Sequence, residues 1–293
     1  MQSNGKLNRS EQTACLFALY LDLLPDEASV KAVTEQLVSS IENYGNRMAT
    51  GFLGTSIVCQ TLSKIGREDL AYTLLLQHEY PSWLYTVDQG ATTMWERWNC
   101  YSKEDGFGPA GSSSFNHFAY GAVAGWMYRC LAGIGFDEEN PGFKNVILAP
   151  AYCKDLPQVK SVYESVYGSI ETEVSFANGD WTFQAQIPAN TTATARIPVQ
   201  EGRSLLVNNK TLSKLTLEND GIRFVQMVDG KAEFEAVAGS FVFTDSDVVD
   251  IPGANGGGSS KLLMWAGIAL AALALPVIGG VVILRNKKKK KEQ

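Results

Sequence analysis

The chain has 293 residues, of which 45% are hydrophobic and 19% are charged, the composition of a packed globular protein. At this length it can fill one large core or two smaller ones. The net charge is −6, but residues 1–260 hold 18 basic and 30 acidic side chains, a net charge of −12. An acidic body without a basic stripe argues against nucleic acid as a partner. Ordinary surface solubility is the favoured explanation of the acidity.

The cysteines and histidines form no metal-binding or disulfide pattern. Two histidines, His78 and His117, are too few for a His-rich metal site. The cysteines are odd in number, widely spaced and without a C-x-x-C pair: Cys15, Cys59, Cys100, Cys130 and Cys153. We therefore expect neither a disulfide framework nor a zinc site.

Residues 10–132 are predicted to form helices. In the clearest of them, Pro25 and Asp26 mark the start and Gly45 follows the end. Its apolar positions recur at helical spacing: Val30, Val33, Leu37, Val38 and Ile41. Similar spacing predicts helices at about 11–24, 55–65, 67–78, 92–99 and 114–132. The run ACLFALYL at 14–21 is apolar on all sides, which indicates a helix buried among others.

The stretch GATTMWERWN at 90–99 holds the first candidate for chemistry, Glu96. From Thr93 to Glu96 the sequence matches a capping box, and on spacing alone a capping role is favoured. Against this stand the side chains that surround the carboxylate: Trp83, Trp95, Arg97 and Trp98. Sugars present apolar ring faces that stack on aromatic rings, and glycosidases need carboxylates for their acid and base steps.

His117 lies in SSSFNHFAYGAVAGWMY at 112–128, where the serines and Asn116 are predicted to start a helix. A lone histidine at a helix start is usually a hydrogen-bonded polar residue without a further role. The functional interpretation is that the neutral imidazole and the Asn116 amide point into a pocket and bind hydroxyl groups.

Three further carboxylates flank these motifs. Glu79 begins EYPSWLY, where aromatic packing at a helix end is the default and a sugar platform the alternative. Glu104 and Asp105 lie in YSKEDGFGPAGSSS, a loop rich in small residues. These two are expected to be solvated, although a second catalytic carboxylate can come from such a loop.

After residue 145 the chain changes to short β-rich runs such as SVYESVYGSIETEVSF and WTFQAQIP. Turn signals separate them at Asn178-Gly179, Asn208-Asn209 and Asp229-Gly230. Residues 146–245 are therefore predicted to form an antiparallel β-sandwich.

The C-terminal end predicts a membrane anchor. Leu262–Leu284 is a run of 23 residues without a charge, long enough for a transmembrane helix. The preceding DVVDIPGANGGGSSK has the composition of a flexible tether. Five lysines follow the run, so by the positive-inside rule the tail is cytoplasmic and the body lies outside.

This orientation conflicts with the N-terminus, because MQSNGKLNRSEQ has no apolar core of the kind that a secretory signal needs. Two explanations stay open. In the first, the chain is the C-terminal piece of a longer exported protein. In the second, the tail inserts into the membrane without export of the body, and its lysines do not report the orientation of the helix.

Three motifs in order resemble one protein family: TGFLGTSIVCQTLSKIGREDLAYTLLLQHEYPSWLYTVDQGATTMWERWN, SSSFNHFAYGAVAGWMYRCLAGI, and YGSIETEVSF with IPANTTATARIP. They are similar to the C-terminal half of bacterial α-L-rhamnosidases over about residues 10–205. Members of that family are inverting glycoside hydrolases with an (α/α)6 toroid and a trailing β-sandwich. The expected fold class is therefore α+β multidomain: a partial (α/α)6 toroid, then an antiparallel β-sandwich and one C-terminal transmembrane helix.

The resemblance implies a role for each matching residue. The T-x-W-E-R-W motif places the general base at Glu96, and the S-F-N-H motif makes His117 the sugar-binding histidine. The remaining predicted substrate-binding residues are Trp83, Trp95, Arg97, Trp98 and Asn116. By this resemblance the capping interpretation of Glu96 is set aside.

The sequence also departs from the family. Members carry the general acid in a D-x-x-E-R-x-G-W-type segment in the earlier half of the toroid, and this sequence lacks it. We therefore expect a C-terminal part of the enzyme, whose partner is the missing N-terminal half of the same protein. The predicted divisions are 1–136, part of the helical catalytic domain; 137–246, the β-sandwich; 247–260, a Gly/Ser linker; 261–285, the transmembrane helix; and 286–293, a basic cytoplasmic tail.

The predicted function is the release of terminal α-L-rhamnose from rhamnosides or polysaccharides with inversion, without metal or organic cofactor. The predicted localisation is the cell membrane, single-pass, with an extracellular body. The alternative is a non-catalytic, membrane-tethered carbohydrate-binding protein that keeps the aromatic subsite without the acid. A purely structural spacer would require the Trp-Glu-Trp cluster to be buried and dry.

Overall fold

The computed structural model describes residues 1–9, 11–108, 113–151, 153–177 and 179–247. The helices are α1 (Gln12–Tyr20), α2 (Glu27–Asn43), α3 (Phe52–Lys64), α4 (Glu68–Leu75), α5 (Trp83–Asp88), α6 (Val123–Trp126) and α7 (Leu217–Asp220). The strands are β1 (Tyr101–Ser102), β2 (Gly106–Phe107), β3 (Ile134–Phe136), β4 (Asn145–Leu148), β5 (Gln158–Ser165), β6 (Gly168–Ala177), β7 (Asp180–Pro198), β8 (Ser204–Val207), β9 (Lys210–Thr211), β10 (Ile222–Val228) and β11 (Lys231–Ser246).

Helix α2 confirms the sequence pattern most directly. Asp26 is its N-cap, and the carboxylate accepts a hydrogen bond from Ser29 N–H at 2.7 Å. Gly45 follows the end with φ +73°, a conformation that glycine adopts without strain. One face is buried in the helical core, at Ser29, Val33, Leu37 and Ile41.

Helix α1 is buried among its neighbours, as its all-round apolar sequence predicts. Its one buried polar side chain, Gln12, is satisfied at both ends of its amide. The Nε2 group donates to the Arg47 carbonyl at 3.1 Å, and Oε1 accepts from Ala49 N–H at 2.8 Å. These bonds tie α1 to the loop between α2 and α3, so a buried amide costs little here.

Two predicted helices have different structures. The prediction of a helix at 92–99 is wrong, because these residues form an irregular loop. The predicted helix at 114–132 begins only after a loop and is a succession of short turns: a 3₁₀ turn at Ala119–Ala122, α6, and a π-helical turn at Met127–Leu131. Near 94–96 and 114–117 the backbone groups bond to the facing loop instead, through Glu96 N–H to the Ser114 carbonyl and His117 N–H to the Met94 carbonyl. Local propensity does not report such partners.

The β region is built on two long strands, β7 and β11, which pair with each other in antiparallel register. Near one end they are flanked by β6 and β8, and near the other end by β4 and β10. The turns predicted at Asn208-Asn209 and Asp229-Gly230 are confirmed as two-residue hairpin loops with positive φ at all four positions. Asn178 of the third predicted turn lies outside the described residues.

The two long strands fold over on themselves and produce the predicted sandwich. Phe234 and Phe243 lie on the same strand, where nine extended residues would span about 30 Å. Their ring centroids are nevertheless 5.3 Å apart. The register between β7 and β11 shifts between two residue pairs, Val237 with Thr192 and Gly239 with Ile187. Both strands bend at this irregularity. The two halves then share one buried apolar cluster.

The predicted all-antiparallel pairing needs one correction, because β4 runs parallel to β7. The parallel pair arises at the junction with the helices, where β3 and β4 form a hairpin beside the end of the π-helical turn. Ala151 N–H donates to the Cys130 carbonyl at 2.7 Å, and the Tyr72 hydroxyl donates to the Ala151 carbonyl at 3.2 Å. These bonds attach the segment after β4 to the helical region.

The predicted fold class is also corrected in its last component. Among the residues that the structure describes, no helix has the length and apolar character needed to cross a membrane. The linker from residue 248 onward, the predicted helix at 261–285 and the basic tail lie outside the described residues. We therefore drop the transmembrane helix from the fold class and withdraw the single-pass membrane localisation that depended on it.

The junction between helices and strands supplies a stability test. Gly133 has φ +71°, and an added Cβ would lie 2.6 Å from the Pro150 nitrogen. We expect Gly133→Ala to lower the free energy of unfolding by about 1–2 kcal/mol for the left-handed backbone and by about 1–3 kcal/mol more for the overlap. Urea unfolding measures the loss.

The matched control is Gly66→Ala, because Gly66 has φ +72° and an added Cβ there meets nothing within 4 Å. It should show the backbone cost alone. Equal losses in the two variants would mean that the approach to Pro150 does not constrain the junction.

Candidate functional site

The segment around Glu96 and the segment around His117 lie side by side. His117 N–H donates to the Met94 carbonyl at 2.8 Å, and Glu96 N–H donates to the Ser114 carbonyl at 2.9 Å. These two bonds join loops that are about 20 residues apart in sequence. The structure thus brings the two predicted site motifs together at one place.

The Glu96 carboxylate is half-buried and held at one oxygen. Its Oε2 accepts a hydrogen bond from Ser114 N–H at 2.7 Å. Thr93, the proposed cap partner, instead donates its hydroxyl to the Phe115 carbonyl. The capping interpretation of Glu96 is therefore wrong in the structure, since there is no helix to cap. Within the described residues Oε1 accepts no hydrogen bond.

His117 is held in one tautomer and between two rings. Its Nδ1 accepts a hydrogen bond from Ala119 N–H at 3.3 Å, which places the proton of the neutral ring on Nε2. The imidazole stacks on Phe52 at 4.6 Å and on Phe118 at 5.4 Å between ring centroids. The neighbouring Asn116 is exposed, and its backbone N–H donates to Ser114 Oγ at 3.1 Å. Nε2–H and the Asn116 amide are thus two polar groups that the described part of this loop can offer to a ligand.

Two of the three predicted subsite tryptophans, Trp83 and Trp98, form a buried wall with Tyr120. Trp98 lies face to face with Tyr120 at 3.9 Å between ring centroids, and edge-on to Trp83 at 5.7 Å. Trp83 Nε1 donates to the Tyr120 carbonyl at 2.9 Å. Trp83 and Trp98 are each 6% exposed and Trp95 is 5% exposed. Their ring faces are largely covered by protein, which differs from an open sugar platform.

A second aromatic group surrounds Trp95. Its ring meets Phe115 edge-on at 5.4 Å and Tyr101 edge-on at 6.4 Å. Phe107, which is largely exposed, extends the group toward solvent with contacts to both of those rings. The surface aromatic residue beside this part of the site is therefore Phe107 rather than Trp95.

The electrostatic surroundings of Tyr120 include the predicted base. Burial is the main cause that raises the pKa of the Tyr120 hydroxyl. Charges on Tyr80 and Cys100 raise this pKa further. Glu96 also raises it, whereas Arg97 lowers it. Arg97 and Glu96 thus act on a common hydroxyl, although Arg97 itself is exposed.

The other candidate carboxylates are placed differently. Glu79 is exposed and lies 3.4 Å from the Arg47 guanidinium in a surface ion pair. Glu104 and Asp105 are exposed in the loop between β1 and β2. After burial and Tyr80, these two charges contribute to the raised pKa of Tyr85. Of the Trp-Glu-Trp cluster that a purely structural spacer would require to be buried, Trp95 and Trp98 are buried and Glu96 is half-buried.

Within the described residues, no group of three or more His, Cys, Asp or Glu side chains is arranged to hold a metal ion. The five cysteines are free thiols. Burial raises the pKa of Cys15 to about 11, which keeps that thiol protonated near neutral pH. Cys100 lies beside the site, where its Sγ donates to the Ser114 carbonyl at 3.7 Å.

Three site residues were not identified from the sequence: Phe52, Ser114 and Tyr120. Ser114 holds the Glu96 carboxylate through its backbone, and Tyr120 covers one face of Trp98. Phe52 lies more than 40 residues before Glu96, at the start of α3. All three fall inside the motifs that carry the family resemblance, which was the available signal.

Two family models match the chain. The one described as bacterial alpha-L-rhamnosidase 6 hairpin glycosidase domain matches residues 1–131. The one described as bacterial alpha-L-rhamnosidase C-terminal domain matches residues 133–211. Both agree with the order of helices and strands in the structure.

Relatives named alpha-L-rhamnosidase match most of the chain. One from Formosa agariphila is 36% identical over 242 residues, which cover 82% of this chain and 25% of that protein. One from Streptomyces avermitilis is 35% identical over 242 residues, which cover 83% of this chain and 22% of that protein. The chain thus spans about a quarter of the length of these relatives.

Solved structures give the same result. The crystal structure of Streptomyces avermitilis alpha-L-rhamnosidase complexed with L-rhamnose matches with a TM-score of 0.74 and 34% identity, over 83% of this chain and 22% of that one. The crystal structure of the Aspergillus terreus enzyme matches with a TM-score of 0.70 and 28% identity, over 83% and 25%. The helical and β parts of the predicted fold class agree with these matches. The chain therefore belongs to the bacterial α-L-rhamnosidase family, with residues in both its six-hairpin glycosidase domain and its C-terminal domain.

Proposed function

We propose that the chain carries the base-bearing side of an α-L-rhamnosidase, a glycoside hydrolase that releases terminal α-L-rhamnose from rhamnosides or polysaccharides with inversion. The observation that carries the proposal is the pairing of the Glu96 loop with the His117 loop. It brings the Glu96 carboxylate and the His117 imidazole onto two adjoining loops. Family membership supports the choice of rhamnose as the sugar.

Glu96 is the proposed general base. The hydrogen bond from Ser114 N–H fixes the carboxylate through Oε2 and leaves Oε1 to accept a proton from water. In an inverting glycosidase that water attacks the anomeric carbon from the face opposite the leaving group. A base held by a backbone N–H keeps its orientation during the reaction, because the main chain of the facing loop cannot rotate away as a side chain can.

The remaining predicted residues are proposed to bind the sugar. His117 Nε2–H, the Asn116 amide and the Arg97 guanidinium can donate to hydroxyl oxygens. Trp83, Trp95 and Trp98 are proposed to shape the subsite floor. Since they are only 5–6% exposed, their proposed contribution is the packing that holds the loops in place.

The general acid is proposed to come from a part of the protein outside this sequence. Glu79, Glu104 and Asp105 are exposed and share no hydrogen bond with Glu96. An inverting mechanism needs a second carboxyl group roughly 6.5–9.5 Å from the base. The longer relatives have the remaining three quarters of their length in which such a group can lie.

The domain boundaries are kept as part of this proposal. The helical region is taken as 1–136 and the β-sandwich as 137–246. The ranges of the two family models, which divide the chain between 131 and 133, support a boundary at this point.

The function is tested by hydrolysis of p-nitrophenyl α-L-rhamnoside. Two proteins are compared: this chain alone, and a chimera in which it replaces the matching quarter of the Streptomyces avermitilis relative. We expect activity only in the chimera, because the chimera regains the acid. There Glu96→Gln should lower kcat by about 10²- to 10⁴-fold, since the amide cannot accept the proton.

Glu104→Gln is the matched control and should change kcat by less than about twofold, because that carboxylate is exposed in a separate loop. Hydrolysis by the chain alone would place the acid within this sequence. A chain that binds L-rhamnose while the chimera stays inactive would favour the carbohydrate-binding alternative.

The stereochemical course tests the role of Glu96 separately. In the active chimera, a proton NMR spectrum taken immediately after mixing should show β-L-rhamnose as the first product, with the α anomer growing in by mutarotation. Water activated by a general base attacks opposite the leaving group, so the configuration inverts. If α-L-rhamnose forms first, the reaction proceeds with retention and Glu96 is not acting as a base on water.

A further inference from the structure

We propose that Phe52 is a positioning residue for His117: it fixes the plane of the imidazole so that Nε2–H is presented to a sugar hydroxyl. This inference rests on the proposed function for the sugar, but its structural part concerns His117 alone. Phe52 and His117 are 4.6 Å apart between ring centroids, with 19° between the ring planes. This is close face-to-face stacking between residues from distant parts of the chain.

The bond at Nδ1 does not orient the ring fully. Ala119 N–H donates to Nδ1 from two residues further along the same loop. One hydrogen bond of 3.3 Å favours this tautomer but leaves the ring free to tilt, and a tilt that lengthens the bond lets the other tautomer form. A flat aromatic partner removes that freedom, because stacking is favourable only when the two planes stay nearly parallel.

Phe52 is placed on a rigid support. It is the first residue of α3, and two residues later Gly54 packs so closely on α1 that an added Cβ would lie 2.6 Å from Thr13 Oγ1. The Thr50 and Thr55 hydroxyls, 2.8 Å apart, hydrogen-bond across the first turn. The ring that stacks on His117 is therefore carried by a helix end that cannot move closer to α1 and whose first turn is hydrogen-bonded.

Phe52 also joins His117 to the buried aromatic wall. Its ring contacts Tyr120 at 5.4 Å between centroids, and Tyr120 in turn covers Trp98. The second ring beside the imidazole, that of Phe118, has no comparable support, since it is 87% exposed and comes from the next residue. Of the two neighbours, Phe52 is thus the one able to impose an orientation.

The test uses the fact that the chain contains only two histidines. In the full chain labelled with ¹⁵N-histidine, NMR reports the tautomer and ring-current shifts of His117, with His78 as an internal reference. We expect wild type to show the Nε2–H tautomer with shifted ring protons. Phe52→Leu should move the His117 signals toward averaged tautomers and unshifted protons, while those of His78 stay in place.

Two further variants separate the stacking from general disturbance. Phe52→Tyr keeps an aromatic face and should restore the wild-type His117 signals. Phe118→Leu should change them less than Phe52→Leu does, because the Phe118 ring is 5.4 Å away and mostly exposed. If Phe52→Leu does not fold, Phe52→Met removes the aromatic face with a longer apolar chain. Unchanged His117 signals in a folded Phe52 variant would overturn the proposal.

Titration with L-rhamnose in the same samples separates the two proposals. Wild type should show a sugar-dependent shift of the His117 signals, and Phe52→Leu should bind about 2- to 10-fold more weakly, as expected for the loss of one aromatic pair. If wild type shows no response to L-rhamnose, the proposed sugar binding fails, and the tautomer comparison still decides the role of Phe52. Equal affinity in wild type and Phe52→Leu would contradict the positioning role.

Discussion

The arrangement of the site depends on the backbone pairing between the Glu96 loop and the His117 loop. Neither loop is helical or part of a long sheet, so their polar main-chain groups need partners from elsewhere. They find them in each other, through Glu96 with Ser114 and His117 with Met94. The same contact supplies the N–H that holds the Glu96 carboxylate. The contact between the loops therefore both satisfies their backbone hydrogen bonds and orients the Glu96 side chain.

Buried aromatic residues pack behind the paired Glu96 and His117 loops and support them. Trp98 stacks on Tyr120 and meets Trp83 edge-on, Trp83 donates a hydrogen bond to the Tyr120 carbonyl, and all three residues are buried. Rings that lock together in this way present a stiff wall, since each has few torsions and little free volume. The polar groups of the site lie in front of this wall, half-buried or exposed. The buried aromatic residues thus maintain the structure of the site, and the more exposed polar residues are the ones that can contact a ligand.

Several structural elements were correctly predicted from the sequence. The cap at Asp26 and the hairpin loops at Asn208-Asn209 and Asp229-Gly230 form as predicted. The predicted apolar face of α2 is buried at Val33, Leu37 and Ile41, whereas Val30 is exposed. Each depends on residues within a few positions of one another, so local chemistry is enough to specify it. The helix predicted at 92–99 failed for the opposite reason, because its backbone partners lie about 20 residues away. The membrane helix was predicted from an apolar run alone, and no described helix supports it.

The sequence by itself determined the family, the order of helices before strands, and the identity of Glu96 and His117 as the residues to examine. Those conclusions rest on residue types and their order along the chain. Only the tertiary structure decided that Ser114 N–H holds the Glu96 carboxylate, that the tryptophans are buried, and that Phe52 stacks on His117. These are contacts between segments far apart in sequence, set by how helices and loops pack, and no local pattern encodes such a distance.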